Sequence, residues 1–445
     1  MTSEPGRGFK AFFVGVIARG LDAASGLLLL PLIVARFSAP EVGLWYVFLT
    51  LQGMIILLDF GFQPTIARGF ASAFAGARSI LRQGLDTNSH SEPNYPLVHE
   101  LIHVARRLYG FLCLGVIALM ATGGLAFVYF LAQRDGIPLT EVVPAWLLFS
   151  GAMGLTVYFL WISPLLLGAG RVSANYSFLA ANRFTFTATA AALLLCGVGL
   201  IALPVAVILG SLVGRLVAGR SMSDILKRAR EYPAEQGNHL LKTLWHNAGR
   251  MGLVSASGFL AVRANVFVVS VYAGLGSSAA YSISLQLMTS LMSVSLLPSQ
   301  ILMPKAVAAR IRDDYPALRK VFWTTTVVAV GVFAAGLIFL TVAGPILLRL
   351  VGSNVDLLPT SLFVLLGVIM LLETNHTNSA MMIATSNVMP FTKVAVISGV
   401  AIAILSPALA WGGLGVLGVI LAQGGVQLAY NNWGWPLMAW RQVRG

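Results

Sequence analysis

Twelve long apolar runs, separated by short polar segments, follow one another along the chain. Each is about as long as the ~20 residues that an α-helix needs to cross the hydrocarbon core of a bilayer. The pattern predicts an all-α integral membrane protein of about 12 transmembrane helices. The predicted spans are 11–36, 42–67, 108–132, 143–169, 176–199, 202–219, 250–275, 279–303, 321–347, 357–385, 389–411 and 414–439.

The composition supports a membrane protein, since 57% of the residues are hydrophobic and only 10% are charged. Soluble domains carry about 25% charged residues. The spans leave little sequence for a separate catalytic domain, and the sequence has no P-loop for ATP. We therefore predict a transporter and not an enzyme or an ATP-driven pump, with no cofactor or metal.

Basic residues follow the alternation of the polar segments. Of the 29 Lys and Arg residues, 22 lie on alternate segments, three lie on the opposite segments and four lie within spans. Loops rich in Lys and Arg stay in the cytoplasm. The charge pattern therefore predicts a multi-pass protein with both termini in the cytoplasm, and it explains the net charge of +13 without nucleic-acid binding.

Two segments repeat weakly between the halves of the chain. Residues 43–68 align with 280–305 at a constant offset, and 167–171 align with 383–387. Each half contains an even number of spans, which predicts parallel repeats related by an axis along the membrane normal. We predict two pseudo-symmetric six-helix lobes around a central cavity. The predicted divisions are an N-lobe at 1–219, a cytoplasmic linker at 220–249 and a C-lobe at 250–445.

The first two spans carry a family pattern at 31–37 (PLIVARF), 40–45 (PEVGLW) and 58–62 (LDFGF), closing on Arg68. These segments, and again residues 281–305, resemble Wzx-type polysaccharide (O-antigen) flippases of the MOP superfamily. The resemblance implies a protein of the bacterial inner membrane that moves a polyprenyl-diphosphate-linked oligosaccharide to the outer leaflet for lipopolysaccharide assembly. Its implied partners are this lipid-linked glycan, membrane lipid and other polysaccharide-assembly membrane proteins.

The same superfamily contains the MATE drug exporters. The alternative function is therefore a proton- or sodium-coupled exporter of organic cations, in which acidic residues within the spans bind the drug or the coupling ion. A membrane scaffold without transport activity is a third possibility, but it leaves the charges within the spans without a purpose. Substrate charge separates the first two functions.

Arginines inside predicted spans are candidates for binding the diphosphate, because ionisable groups in lipid are costly and mark substrate pathways. They are Arg19, Arg183 and Arg263. A planar guanidinium suits the oxygens of a phosphate, and no acid in its own span neutralises Arg263. Three alternatives remain open: Arg19 pairs with Asp22 on the same helix face, Arg183 extends to the interface, and Arg263 forms a salt bridge with an acid of another span.

Acidic and polar residues within spans are candidates for orienting the ligand or for coupling. Asp22, Asp59, Glu373 and His376 form this set. Asp59 precedes Pro64, which predicts a bent helix beside a buried carboxylate. Glu373 and His376 share a helix face and form a candidate proton-carrying pair, or else they bond helices together. Polar residues predicted to line a wet cavity are Asn265, Asn375 and Asn378.

One metal motif also occurs. Residues 99–103, His-Glu-Leu-Ile-His, fit the H-E-x-x-H pattern of zinc proteases. Such a site needs a third ligand near the same metal, and the predicted topology supplies none. We therefore predict that this motif holds no zinc.

Overall fold

A computed structural model describes residues 25–59, 61–80, 92–233, 257–386 and 390–444. Its described residues place helix at each of the twelve predicted spans. In the described part of the chain, eight helices are long and apolar enough to cross a membrane. The predicted all-α, multi-pass membrane architecture is therefore confirmed.

The chain divides into two compact units. Unit 1 comprises Met1–Leu32 and Leu51–Ser255, and unit 2 comprises Ile33–Thr50 and Ala256–Gly445. The first two helices, α1 (Ser25–Arg36) and α2 (Ala39–Leu58), contribute residues to both. The other described helices of unit 1 are α3 (Phe62–Phe74), α4 (Tyr95–Leu119), α5 (Leu125–Arg134), α6 (Leu139–Tyr158), α7 (Ile162–Gly168), α8 (Val172–Leu195) and α9 (Ala202–Arg230).

Unit 2 contains the second half of the described helices and one hairpin from the first half. Its helices are α10 (257–262), α11 (Asn265–Tyr272), α12 (Gly274–Ser295), α13 (Leu297–Ile311), α14 (Tyr315–Leu350), α15 (Thr360–Ala384), α16 (Thr392–Leu409), α17 (Gly415–Ala429) and α18 (Asn431–Gln442).

The part of the α1–α2 hairpin at 33–50 belongs to unit 2, although the predicted N-lobe at 1–219 contains it. Asn354, which follows α14, donates its backbone N–H to the Val34 carbonyl at 2.7 Å and its side-chain amide to the Phe37 carbonyl at 3.3 Å. Farther along α2, the Tyr46 hydroxyl donates to Gln286 Oε1 of α12 at 2.6 Å. These bonds tie the hairpin to unit 2 through residues that lie far away in sequence.

The sixth predicted span continues beyond its expected end. Helix α9 runs to Arg230, so residues 220–230 of the predicted linker at 220–249 continue the helix of the sixth span. No Pro or Gly interrupts residues 220–230, and basic residues in the last turn suit the negative end of the helix dipole. The remaining predicted linker residues from 234 onward lie outside the described part of the chain.

Helix ends recur at the offsets of the predicted repeats. Helix α2 ends at Leu58 and α12 at Ser295, an offset of 237 that equals the one between 43–68 and 280–305. Helix α7 ends at Gly168 and α15 at Ala384, an offset of 216. The equal offsets support an internal duplication.

Helices α4 and α14 also begin alike. The Asn94 side chain accepts from the Leu97 N–H at 3.1 Å, and the Asp314 side chain accepts from the Ala317 N–H at 3.0 Å. Both caps precede a Tyr-Pro pair in the first turn, where proline is tolerated because its missing N–H has no helical partner. Helices α4 and α14, which contain the third predicted span of each half, therefore start with the same local cap.

Candidate functional site

A buried carboxylate forms the centre of unit 2. Glu373 of α15 is 4% exposed and accepts a hydrogen bond at Oε1 from Gln423 Nε2 of α17 at 2.7 Å. Gln423 Oε1 in turn accepts from Asn265 Nδ2 of α11 at 3.3 Å. We call Glu373, Gln423, Asn265 and the adjoining Tyr281 the acid cluster, and all four are buried.

The described residues supply no counter-ion to the acid cluster. Within the described ranges, no Lys or Arg forms an ion pair with Glu373, whose hydrogen-bonded partner is a neutral amide. A carboxylate removed from water is costly unless a proton, a cation or several donors compensate it. The cluster therefore has the chemistry of a site that takes up and releases a proton or a small cation.

Arg263 lies in an interruption of the seventh span, between α10 and α11. The backbone N–H groups of Arg263 and Ala264 both donate to the Phe259 carbonyl, at 2.8 and 3.0 Å. The second bond spans five residues, so the α-helical pattern of bonds four residues apart is interrupted here. The Arg263 side chain is exposed and lies within electrostatic range of Tyr46 and Tyr281.

The guanidinium of Arg263 has no ion-pair partner among the residues that the structure describes. Of the acids predicted as possible partners, Glu373 is bonded to Gln423 and Asp59 is bonded to Tyr109. Asp22 lies outside the described residues. The donors of Arg263 are therefore available for a ligand or for water.

Tyr281 interacts electrostatically with both Glu373 and Arg263. Its hydroxyl is buried beside Asn265 without hydrogen-bonding geometry to any described residue. Unit 2 thus combines an exposed cation, an unused phenol donor and a buried acid.

His376 and Glu373 do not bond to each other in the described structure. His376 Nδ1 bonds to Asn432 Oδ1 of α18 at 2.9 Å, whereas Glu373 bonds to Gln423 of α17. The expected pair on one helix face is therefore divided between two neighbouring helices, because each side chain finds its own amide partner. Each of these bonds joins helices, which was the alternative reading of the sequence.

The predicted cavity asparagines have different environments. Asn378 is buried, accepts from Ser299 Oγ at 2.5 Å and donates to Thr326 Oγ1 at 2.9 Å. Asn265 belongs to the acid cluster, and Asn375 is half-buried with its carbonyl bonded to Ser379 Oγ. Asn265 and Asn378 therefore use side-chain groups to join helices.

Unit 1 contains a second buried carboxylate, Asp59. Tyr109 of α4 donates its hydroxyl to Oδ1 at 2.6 Å, and the Gln63 N–H donates to Oδ2 at 3.2 Å. The predicted bend occurs at Gly61, whose φ of 76° is favourable only for glycine. Pro64 lies in the first turn of α3, so the chain bends before the proline and not at it.

The remaining predicted ligands lie in unit 1 or outside the described residues. Arg183 of α8 is half-buried, with its guanidinium 5.8 Å from the centre of the Phe186 ring. Arg19 and Asp22 both lie outside the described residues. Their predicted roles remain predictions.

We expect the hydroxyl of Tyr109 and the carboxylate of Asp59 to stabilise unit 1 together. A double-mutant cycle with Tyr109→Phe and Asp59→Asn should give an interaction energy of about 0.6 to 1.7 kcal/mol, the range measured for hydrogen bonds between membrane helices. The free energy of unfolding in detergent measures it. Tyr129→Phe, at an exposed tyrosine of α5, is the control, and equal losses in both tyrosine variants would contradict the pairing.

The H-E-x-x-H motif begins within α4. His99 Nδ1 bonds to the Tyr232 carbonyl at 2.6 Å, and the rings of His99 and His103 lie 4.8 Å apart. In the described part of the chain, no group of three or more His, Cys, Asp and Glu side chains is placed to hold a metal. A third zinc ligand is therefore lacking there.

Comparisons with known proteins identify the fold. No protein-family model and no curated protein matches the chain. Among solved structures, a multidrug resistance MATE family transporter of the MOP superfamily in its inward-facing conformation matches with a TM-score of 0.70 and 13% identity, over 97% of this chain and 98% of that one. Its outward-facing conformation matches with a TM-score of 0.55 and 13% identity, over 98% and 94%.

A MOP superfamily transporter from Pyrococcus furiosus is similar as well, with a TM-score of 0.58 and 13% identity, over 98% of this chain and 95% of that one. That structure is described as having a binding pocket of reverse polarity that suggests a different function. The chain therefore has the fold of MOP superfamily transporters, as the sequence resemblance implied. The polysaccharide-flippase subtype remains a prediction.

Proposed function

We propose that this protein is a flippase for a lipid-linked oligosaccharide, which it moves from the inner to the outer leaflet by alternating access. The observation that carries the proposal is Arg263, an exposed guanidinium at a helix interruption without an ion-pair partner in the described residues. A guanidinium binds phosphate oxygens through paired, charge-assisted hydrogen bonds. The substrate end that fits Arg263 is accordingly the diphosphate.

The tyrosines near Arg263 add donors of the appropriate kind. The Tyr281 hydroxyl has no hydrogen-bond partner in the described residues, and the Tyr46 hydroxyl donates to Gln286. The sugar would occupy the polar space of the site, while the polyprenyl chain stays in lipid.

Two sources of energy fit this chemistry. An inside-negative membrane potential favours outward movement of an anion, by about 2.3 kcal/mol per charge and 100 mV. Uptake of a proton or cation by the acid cluster would couple transport to an ion gradient, because Tyr281 lies within range of both charged groups. Either source of energy is compatible with the other predicted roles, which are diphosphate binding by Arg19 and Arg183 and orienting or coupling by Asp22 and Asp59.

The alternative is a coupled exporter of organic cations. The acid cluster favours it, since Glu373 is a buried carboxylate without a cation among the described residues. The similar structures also include multidrug resistance MATE family transporters. The Pyrococcus furiosus relative supports the view that proteins of this fold differ in pocket polarity. The charge of the transported substrate distinguishes the two functions.

We expect Arg263→Ala to slow the transfer of a labelled diphosphate-linked lipid across proteoliposome membranes about tenfold or more, because one charge-assisted hydrogen bond contributes about 1.5 to 3 kcal/mol. The control is Arg349→Ala, which removes an exposed arginine at the end of α14. Transfer is measured as the fraction of label that becomes accessible outside the vesicles.

The same vesicles test the alternative. Accumulation of a fluorescent organic cation that is unaffected by Arg263→Ala, together with no transfer of the diphosphate-linked lipid, would refute the flippase and support the cation exporter. Equal slowing by Arg263→Ala and Arg349→Ala would remove Arg263 from the substrate site.

A further inference from the structure

Two arginines of unit 1 approach each other at a position that the proposed transport site does not use. Arg106 of α4 and Arg215 of α9 are both half-buried and lie within electrostatic range of one another. Two positive charges repel each other strongly where they are partly shielded from water, and a bound anion offsets this repulsion. Among the described residues, neither guanidinium has a carboxylate partner.

The side chains around the pair hold it in place without neutralising it. The Arg106 guanidinium lies 5.0 Å from the centre of the Trp161 ring, and its Nε is buried without a hydrogen-bond partner in the described structure. The Arg215 side chain lies along α9 toward Gly219, one turn farther on, and its Nη1 would lie 3.0 Å from a Cβ placed on Gly219. Gly219 thus leaves room for the Arg215 guanidinium.

Two hydroxyl groups lie on the helices that carry Tyr158 and Arg215. The hydroxyls of Thr156 on α6 and Ser211 on α9 lie 3.3 Å apart; Thr156 is two residues before Tyr158, and Ser211 is one helical turn before Arg215. Tyr158 is within electrostatic range of Arg215. After Tyr158 the fourth span changes to a 3₁₀ turn at Phe159–Trp161, whose last residue is the Trp161 in contact with Arg106.

The position along the helix suits the headgroup layer of a membrane. Arg215 is thirteen residues from the start of α9, about 20 Å along an α-helix, and the basic end of α9 follows it. Leu212 and Leu216 on either side of Arg215 are 41% and 71% exposed, as expected of a lipid-facing surface. Basic pockets between spans on the cytoplasmic side bind the headgroups of anionic lipids.

We propose that Arg106 and Arg215 form a phosphate-binding site in unit 1 that holds the headgroup of an anionic phospholipid. The two guanidinium groups bind the phosphate, Tyr158 donates to it, and the acyl chains lie along the apolar surface beside Leu212 and Leu216. This site is separate from Arg263 and does not depend on which substrate the protein transports.

Native mass spectrometry of the full-length protein tests the site. The purified protein in detergent is mixed with phosphatidylglycerol or with phosphatidylcholine of equal chain length, and the fraction that retains lipid is measured. We expect the wild type to retain phosphatidylglycerol preferentially. The double variant Arg106→Gln/Arg215→Gln should lose about tenfold in this preference, since a charge-assisted contact with the phosphate is removed on each helix.

A matched control exists on the same two helices. Arg107→Gln/Arg220→Gln removes the same number of charges from the neighbouring exposed arginines, and we expect it to retain phosphatidylglycerol as the wild type does. Should the Gln double variant fail to yield folded protein, Arg106→Lys/Arg215→Lys keeps both charges and should retain part of the preference. Raising the salt concentration should weaken the preference of the wild type for phosphatidylglycerol.

Inorganic phosphate distinguishes the two possible sources of the ligand. If excess phosphate displaces phosphatidylglycerol, the site recognises the phosphate group alone; if it does not, the apolar surface contributes and the ligand is a lipid. Equal retention of both lipids by the wild type, or an equal loss in the Arg107→Gln/Arg220→Gln control, would overturn the proposal.

Discussion

Glu373→Gln is expected to leave the protein folded and to remove the dependence of transport on a proton or sodium gradient. An amide at this position still accepts the hydrogen bond from Gln423 Nε2, which now measures 2.7 Å. It cannot take up a proton in the same way or balance a cation. Coupling energies between sites are typically about 1 to 3 kcal/mol, so the gradient-dependent acceleration should fall about 5- to 150-fold.

The measurement compares initial transport rates in proteoliposomes with and without an imposed pH or sodium gradient. Glu141→Gln serves as the control, because Glu141 is an exposed carboxylate in the first turn of α6. Thermal unfolding of both variants shows whether the fold is retained. A Glu373→Gln protein that is stable and still responds fully to the gradient would exclude the acid cluster as the coupling site.

Glu373→Leu separates the two roles of the carboxylate. It removes the acceptor as well as the charge, so the buried Gln423 Nε2 loses its carboxylate acceptor, while the bond from Asn265 to Gln423 Oε1 is untouched. Leaving buried amides unsatisfied costs about 1 to 3 kcal/mol. We therefore expect lower thermal stability for this variant than for Glu373→Gln, with coupling absent from both.

The sequence predicted which residues carry charge within the spans, but it could not predict their partners. Hydrophobic run length is a local property, and it located the spans because each helix satisfies its own backbone in lipid. The partner of Glu373 lies 50 residues away at Gln423, and that of Asp59 lies 50 residues away at Tyr109. Which faces of two helices meet is decided by packing and leaves no periodic signal.

One usable signal was present in the sequence but was not identified there. The triplets at 94–96 (NYP) and 314–316 (DYP) begin α4 and α14 with the same kind of side-chain cap. These helices contain the third predicted span of each half. An N-cap residue followed by proline in the first turn is a local rule. Read together with the aligned segments, it would have strengthened the predicted duplication.

The placement of the α1–α2 hairpin could not be predicted from the local sequence. The alignment of 43–68 with 280–305 suggested only that each half contains a similar pair of helices. In the structure, residues 33–50 belong to the compact unit that contains the second half of the chain. Glycine 43 shows how closely this hairpin packs there: a Cβ at this position would overlap the carbonyl oxygen of Leu275.

Gly43→Ala is therefore expected to destabilise the protein by about 3 kcal/mol, since the obstacle is backbone that cannot change its rotamer. The free energy of unfolding in detergent measures it. Gly276→Ala is the matched control, because a Cβ at position 276 would lie 4.0 Å from Ala39 Cβ, an ordinary contact between the same two helices. Equal stability of the two variants would show that α2 does not pack this closely on α12.

The same substitution should also lower transport, for a reason that links the hairpin to the proposed site. Tyr46 lies one turn beyond Gly43 on α2, bonds to Gln286 and is within electrostatic range of Arg263. Pushing α2 away from Leu275 moves the Tyr46 hydroxyl together with the helix. Reduced transfer of the diphosphate-linked lipid by Gly43→Ala, at a temperature where the variant is still folded, would mean that the close approach of α2 to α12 positions donors at Arg263 and does more than stabilise the fold.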